Sequence, residues 1–349
     1  MRNIHQDASG TFWFVTVSEG AWSYDGKSFR QYIRKDGLSS NFVNAVVHDK
    51  NGLIWMGTAG GSISIWNPET GKFEHVAKKQ GLNADRILSL CVDNAGDVWA
   101  GSVGNGAYRI HRDTSGTVKV TGHYGPGNGL PGSTVRSITR DTKGRLYFGM
   151  AGGGMVRYDG SKFLVFGTAQ GLASENIYSI IADRQNNIWV GTEKGLDRMK
   201  LAADGRLLEL RHYGKEEGFS GIEVSQNAVC NDKFGHIWFG TIHGATRYDP
   251  EADMGDGIAP RLHFTGLRLF FDPIANTPYG KGTDSQQPLP AGLEHRPRPC
   301  RRGRHRQGDP PLVEHRGRAA QLGHPHHRHD ALHHGRSGRH GGCRRGPAP

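Results

Sequence analysis

The feature that most constrains this chain is a cassette repeated six times in its first 250 residues, of the form D-x-x-G-x-[apolar]-W-x-G-T. It runs from Asp7 to Trp13 and recurs at Asp49–Trp55, Asp93–Trp99, Asp141–Tyr147, Asp183–Trp189 and Asp232–Trp238. Successive Asp residues lie 42, 44, 48, 42 and 49 positions apart. A period in the low forties, built from short strand-like runs, marks a β-propeller blade.

The second repeat shows how one blade is encoded. Val43–Asp49 alternates apolar and polar residues, as a half-buried strand does. Lys50–Gly52 is turn chemistry, because Gly accepts the positive φ of a tight hairpin. Leu53–Thr58 is a second strand and Ser62–Pro68 a third, which Pro68 ends by lacking an N–H for the ladder. Gly71–Val76 begins the fourth. Four antiparallel strands per repeat, six times over, predict an all-β fold: a β-propeller of six four-stranded blades spanning residues 1–250. The cassette aromatics, Trp13, Trp55, Trp99, Tyr147, Trp189 and Trp238, share one strand position. They read as packing between stacked blades, with sugar stacking as the alternative use of a repeated Trp. The Asp and Gly of each cassette read as hairpin residues.

A second marker separates the repeats. Gly37–Val43, Gly81–Ile87, Gly129–Val135 and Gly171–Ile177 each open on Gly-Leu, and Gly218–Val224 is a variant opening on Gly-Phe. Each lies where the outer strand of one blade crosses to the inner strand of the next.

These cassettes, with the Gly-Leu linkers and the strands "GMVRYDG" (Gly154–Gly160) and "GATRYDP" (Gly244–Pro250), resemble the two-component regulator propeller repeat. Gly218–Pro250 is similar to that family's closing blade, and Ala259–Pro273 to the first strand of the small β-sandwich called the Y_Y_Y domain. The resemblance implies the extracytoplasmic, periplasmic sensor region of a bacterial receptor. In such receptors the sandwich leads to a transmembrane helix and then to a histidine kinase, a hybrid kinase-regulator or a diguanylate cyclase. It also implies a small-molecule ligand, often carbohydrate-derived, and dimerisation in the full-length receptor. Rings of this family usually hold seven blades. The chain is therefore expected to be a fragment of a longer receptor, with residues 258–290 the truncated start of the sandwich.

Charge changes sharply along the chain. The formal net charge is +11, yet residues 291–349 hold 13 Arg, no Lys and 4 acidic residues, a net of +9. The first 290 residues are left with +2, which argues against a nucleic-acid-binding propeller. Residues 291–349 also carry 10 of the 19 His and no Phe, Trp or Tyr. So little apolar surface cannot offset the entropy of ordering, and the segment is expected to be disordered. Its Arg, Gly, Pro and His bias is also that of a GC-rich gene read out of frame, so a frameshift near 290–294 is expected. Its His cluster lacks the regular pairing of a folded zinc site.

No nucleophile elbow, zinc-protease or phosphate-loop motif is present, and no membrane span, cofactor or metal motif. The expectation is a non-enzymatic module. Cys91 and Cys230 fall on inner strands and are expected to be buried. One enzymatic alternative is a streptogramin-lyase-like propeller using His243 or His212, neither of which has a carboxylate at recognisable spacing; a protein-binding scaffold is another. A ligand would bind where the second-to-third turns and the crossovers emerge together, since loops on a rigid scaffold carry recognition. The candidates are Asn41, Asp85, Arg86, Asn105, Glu175, Asn176, Glu193, Glu223 and His243.

Overall fold

The computed structural model describes residues 1–219, 221 and 223–252, with the backbone of 268–269 and 272–273. Its contacts divide the chain into Met1–Ala259 and Pro260–Pro349. In the second unit the described residues are Arg268–Leu269, paired antiparallel with Asp272–Pro273. The expected sandwich start at 258–290 otherwise lies outside the described residues, and so does the basic segment 291–349.

Unit one is a six-bladed β-propeller. Blade 1 is β1 (Asn3–Gln6), β2 (Phe12–Val15), β3 (Ala21–Tyr24) and β4 (Phe29–Tyr32). Blade 2 is β5 (Val43–His48), β6 (Ile54–Thr58), β7 (Ile63–Asn67) and β8 (Lys72–Val76). Blade 3 is β9 (Ile87–Val92), β10 (Val98–Ser102), β11 (Ala107–Arg112) and β12 (Val118–Tyr124). Blade 4 is β13 (Val135–Arg140), β14 (Leu146–Met150), β15 (Met155–Tyr158) and β16 (Phe163–Phe166). Blade 5 is β17 (Ile177–Ala182), β18 (Ile188–Thr192), β19 (Gly195–Leu201) and β20 (Leu207–Tyr213). Blade 6 has β21 (Val224–Asn231), β22 (Ile237–Thr241) and β23 (Gly244–Tyr248) among the described residues. Each sheet is an antiparallel meander in chain order.

The cassette explains the first hairpin of every blade. One Asp oxygen accepts backbone N–H groups beyond it, and in blade 2 Asp49 Oδ1 takes those of Asn51 (2.9 Å) and Leu53 (3.0 Å). The other oxygen accepts from the aromatic six residues on. Trp13, Trp55, Trp99, Trp189 and Trp238 donate Nε1–H at 2.8, 2.9, 2.9, 3.1 and 3.1 Å, and in blade 4 the Tyr147 hydroxyl donates to Asp141 at 3.1 Å. The tryptophan thus has two roles. It packs between blades, and its indole N–H satisfies a carboxylate that is itself pinning the turn. Hydrogen bonds to a charged acceptor of this kind contribute about 1.5–3 kcal/mol. The Thr or Ser that ends the cassette closes the next turn, as when Thr58 Oγ1 donates to Ser62 O at 2.8 Å.

The Gly-Leu linkers have an equally local cause. In the first crossover, Arg34–Asp36 form one 3-10 turn, and the Asp36 carboxylate accepts the N–H of Ile33 at 2.9 Å. Gly37 then turns left-handed at φ 107, which frees Leu38 N–H to reach back to Ile33 O at 3.2 Å. This six-to-one closure is a Schellman motif and needs Gly at its left-handed position. Gln80, Asn128, Gln170 and Glu217 repeat the role of Asp36 in the later crossovers. Each turn drives an apolar side chain inward: Leu38, Leu82, Leu130, Leu172 and Phe219 are all buried.

Blade stacking forms the core. The buried clusters are five, one for each of the contacts 1–2, 2–3, 3–4, 4–5 and 5–6. In each, the cassette aromatic faces the following blade: Trp13 meets Val43, Met56 and Trp66, and Trp189 meets Val224 and Phe239. The cassette Gly lets that next inner strand approach. A Cβ on Gly57 would lie 2.6 Å from Ile87 Cγ2, and one on Gly149 2.8 Å from Ile177 Cγ2. Between blades 6 and 1 there is instead an apolar groove of about 310 Å³, lined by Met1, Ile4, Val229, Trp238, Phe239 and others. Cys230, expected to be buried, is exposed because its blade has no such cluster on that side, and Cys91, also expected to be buried, is half-buried, with desolvation pushing its thiol up to about 12.

Candidate ligand-binding face

The six inner strands surround a central cavity of about 530 Å³, with β1, β5, β9, β13, β17 and β21 all contributing to its wall. At the end where the crossovers emerge, the ladder of each of β5, β9, β13 and β17 slips by one residue. The slip leaves Asn44, Leu88, Arg136 and Tyr178 without a partner on the second strand. A bulge re-aims the extra side chain and recurs at the rims of closed sheets. Here the re-aimed side chains reach across to neighbouring blades. Asn44 Nδ2 donates to Ile87 O at 2.8 Å, and the Arg136 guanidinium lies 4.4 Å from the Tyr178 ring centroid.

β21 carries a longer bulge, between Val224 and Val229, in which Asn227 takes a positive φ of 55. A left-handed non-Gly residue is uncommon and worth a reason. The reason is a crossbar over the channel. Asn227 Nδ2 donates to Leu88 O and Arg136 O, both at 3.1 Å, and Gln226 Nε2 donates to Arg136 O at 3.4 Å. Above it sits a recess of about 130 Å³ lined by Arg2, Asn44, Arg86, Leu88, Gln226 and Asn227.

The residues expected from sequence fall into two groups. Several are consumed by the scaffold. Asn41 Oδ1 accepts Arg34 N–H at 2.8 Å, and Glu175 accepts from both Thr168 N and Thr168 Oγ1 at 2.6 and 2.7 Å. Glu193 accepts from Ser174 Oγ at 2.6 Å, and its second oxygen is buried without a hydrogen bond. Asn105 is held through its backbone, whose carbonyl accepts from His123 Nε2 at 2.7 Å, and its half-buried side chain is not what makes that bond. The others keep their side chains available. Asp85, Arg86 and His243 are exposed, and Asn176 and Glu223 are half-buried. Of all nine, Arg86 lines the central recess. Arg2, Asn44, Gln226 and Asn227 escaped sequence reasoning. The one available signal was a polar residue just inside an inner strand, as in "VNAV" and "VSQN", which marks a bulge when the pattern restarts after it.

A larger hollow of about 560 Å³ lies at the opposite, hairpin end between blades 5 and 6. Its polar groups are already engaged. His236 Nδ1 is 2.8 Å from Asp232 Oδ2, and its Nε2 is 3.6 Å from Asp249. Burial works against the Asp232 charge, but donors from Trp238, His236 and Phe234 hold the carboxyl below the usual range. That hollow is a by-product of turn architecture, whereas the crossover recess also presents Arg2 and Arg86, whose guanidiniums hold no turn among the described residues. His212, read from sequence as lacking a carboxylate, has one. Its Nδ1 is 2.8 Å from Asp197 Oδ1, and Asp197 Oδ2 also accepts Ala173 N–H at 2.8 Å. The pair stands opposite in the β19–β20 ladder, a relation that sequence spacing does not show. Among the described residues no three His, Cys, Asp or Glu side chains gather as metal ligands, and no helix is long and apolar enough to cross a membrane.

Comparison with known proteins agrees with this architecture. The profile of the two component regulator propeller family matches residues 37–60 and 171–194. No curated protein matches the sequence. Among solved structures, the chain is similar to the extracellular domain of a protein assigned to the hybrid two component systems of B. thetaiotaomicron. The TM-score is 0.54 at 22% identity, covering 77% of this chain and 42% of that one. It is also similar to a streptogramin B lyase (TM-score 0.55, 13% identity, 70% of this chain and 77% of that one). A third likeness is PorZ, a surface component of the type-IX secretion system of Porphyromonas gingivalis (TM-score 0.52, 17% identity, 70% and 38%). The chain thus spans less than half the length of the first and third. Identities this low establish a shared fold alone, and that fold serves an extracellular domain, a secretion-system component and a lyase alike. The cassettes, the linkers and the matched segments together show that the chain carries two-component regulator propeller repeats, at residues 37–60 and 171–194.

Proposed function

We propose that this chain is the ligand-sensing propeller of a bacterial two-component-type receptor, facing the periplasm, and a fragment of that receptor. In this reading residues 258–290 begin the sandwich that links propeller to membrane. The ligand is a small molecule of carbohydrate type, bound on the crossover face and not converted. The observation that carries the reading is the convergence of bulged side chains from several blades on one recess at the channel mouth. A ligand there touches β5, β9, β21 and Arg2 just before β1 at once. It favours the arrangement of blades that fits it, and the propeller passes that shift to whatever follows it in the chain.

The test is calorimetry and thermal unfolding of the protein against a panel of neutral and acidic saccharides, with the recovered ligand analysed for change. A sensor is stabilised by about 2.7 kcal/mol when its ligand is present at a hundred times Kd, and returns the ligand intact. A panel without any binder, or a ligand that comes back altered, refutes the reading. His243→Ala separates the lyase alternative, since only an enzyme using that imidazole loses turnover.

A further inference from the structure

We infer that the channel-mouth recess is a site for a hydroxylated organic acid, its carboxylate held between Arg2 and Arg86. This rests on the ligand-sensing reading above and narrows it to a chemical class. The two guanidiniums come from different blades and converge on one ring. Arg2 Cζ lies 5.9 Å and Arg86 Cζ 5.6 Å from the centroid of Phe42. The backbone fixes all three. Arg2 N–H donates to Val15 O at 2.8 Å, Ala59 N–H donates to Phe42 O at 2.9 Å, and Ala59 bridges to Arg86. Among the described residues neither guanidinium has an ion-pair or hydrogen-bond partner, although most other arginines near a blade contact do.

Two like charges gathered over one ring repel each other, and an anion between them reverses that cost. An Arg fork matches a carboxylate in two parallel hydrogen bonds, and both Arg2 and Arg86 line the recess. The rest of the recess is of a different kind. The amide N–H groups of Asn44, Gln226 and Asn227 are directed to backbone carbonyls. Their oxygens remain as acceptors, and acceptors suit the hydroxyls of a ligand and not its charge. Among the described residues no carboxylate lines the recess. A volume of about 130 Å³ is the space of roughly four waters, so one small acid, or the acidic end of a longer one, is what enters.

The experiment is calorimetry on the full chain with D-galacturonate and D-glucuronate, their neutral parents D-galactose and D-glucose, and sodium sulfate. The expected result is that an acid binds at least about tenfold tighter than its parent sugar, weakening in about 0.5 M salt. Arg86→Met and Arg2→Met each then lose at least about tenfold in affinity for the acid with unfolding temperatures unchanged. Equal affinity for acid and parent, or unchanged affinity in both Met variants, overturns the inference while leaving sensing in place. Sulfate binding as tightly as the uronates overturns the hydroxy-acid assignment. If neither acid binds, the inference falls, and a neutral binder elsewhere in the panel then decides whether sensing survives it.

Discussion

Trp189 and Trp238 hold the same cassette position in adjacent blades and live in different surroundings. Trp189 is 1% exposed, wedged against Val224 and Phe239 of blade 6. Trp238 is 39% exposed beside the groove that separates blade 6 from blade 1. Yet both donate their indole N–H to the cassette Asp at 3.1 Å. The hydrogen bond is therefore a property of the repeat itself, while burial is supplied by the neighbour. The same contrast holds for the cassette glycines. A Cβ on Gly191 would collide with Ser179 Oγ and lie 2.8 Å from Val224 Cγ1 of the next blade, whereas the atoms nearest to one on Gly240, from 2.8 Å, all belong to Ala228 of its own blade. Blade 1 shows the matching open side: Ile4, Phe12 and Phe29 are exposed.

The largest expected effect comes from the tryptophans. Trp189→Ala should cost about 3–5 kcal/mol in urea unfolding, because it empties a packed interface. Trp238→Ala should cost less, no more than the about 1.5–3 kcal/mol of its hydrogen bond to a charged acceptor. Equal losses would mean that blades 6 and 1 are sealed like the rest. The glycines come next. Gly191→Ala should destabilise by about 1–3 kcal/mol through overpacking against β21, and Gly240→Ala by clearly less, as read from the same unfolding curves.

The smallest effect is a pH dependence at the contact of blades 1 and 2. His5 Nε2 is 2.7 Å from His48 Nδ1 on β5. Burial first, and then the neighbouring His48, push the His5 imidazole down to about 4. The fold therefore holds His5 neutral while the unfolded chain takes up a proton near pH 6.5. The stabilisation is complete above pH 6.5 and is lost as pH falls from there towards 4. Its size should be about 1–2 kcal/mol, allowing for partial solvent exposure. His5→Gln should flatten the unfolding midpoint across that window, and a midpoint that stays as acid-sensitive as before would place the titration elsewhere.

Much of the fold was legible from residue spacing. The strands expected in the second repeat from Val43, Leu53, Ser62 and Gly71 begin within one residue of those found. The Asp-to-Trp interval and the Gly-Leu linkers are local chemistry, complete within seven residues, so a one-dimensional reading finds them. The site was harder. Asn41, Glu175 and Glu193 are polar loop residues by sequence and structural tethers in fact. Telling the two apart requires knowing which backbone groups their neighbours leave unsatisfied. Asn227 reaches Leu88, which lies in another blade 139 residues away, and no periodicity announces such a contact.

The sequence by itself determined the blade: its four-strand meander, its Asp-pinned hairpin, its left-handed glycine and the aromatic that each blade offers to the next. Those follow from hydrogen bonds and backbone sterics acting over a few residues. Only the tertiary structure decided which aromatics are covered, which histidines find a carboxylate, and which side chains meet at the channel mouth. The stacking of successive blades sets those relations, bringing Arg2 of blade 1 and Arg86 of blade 3 to one Phe42 ring although they stand far apart along the chain.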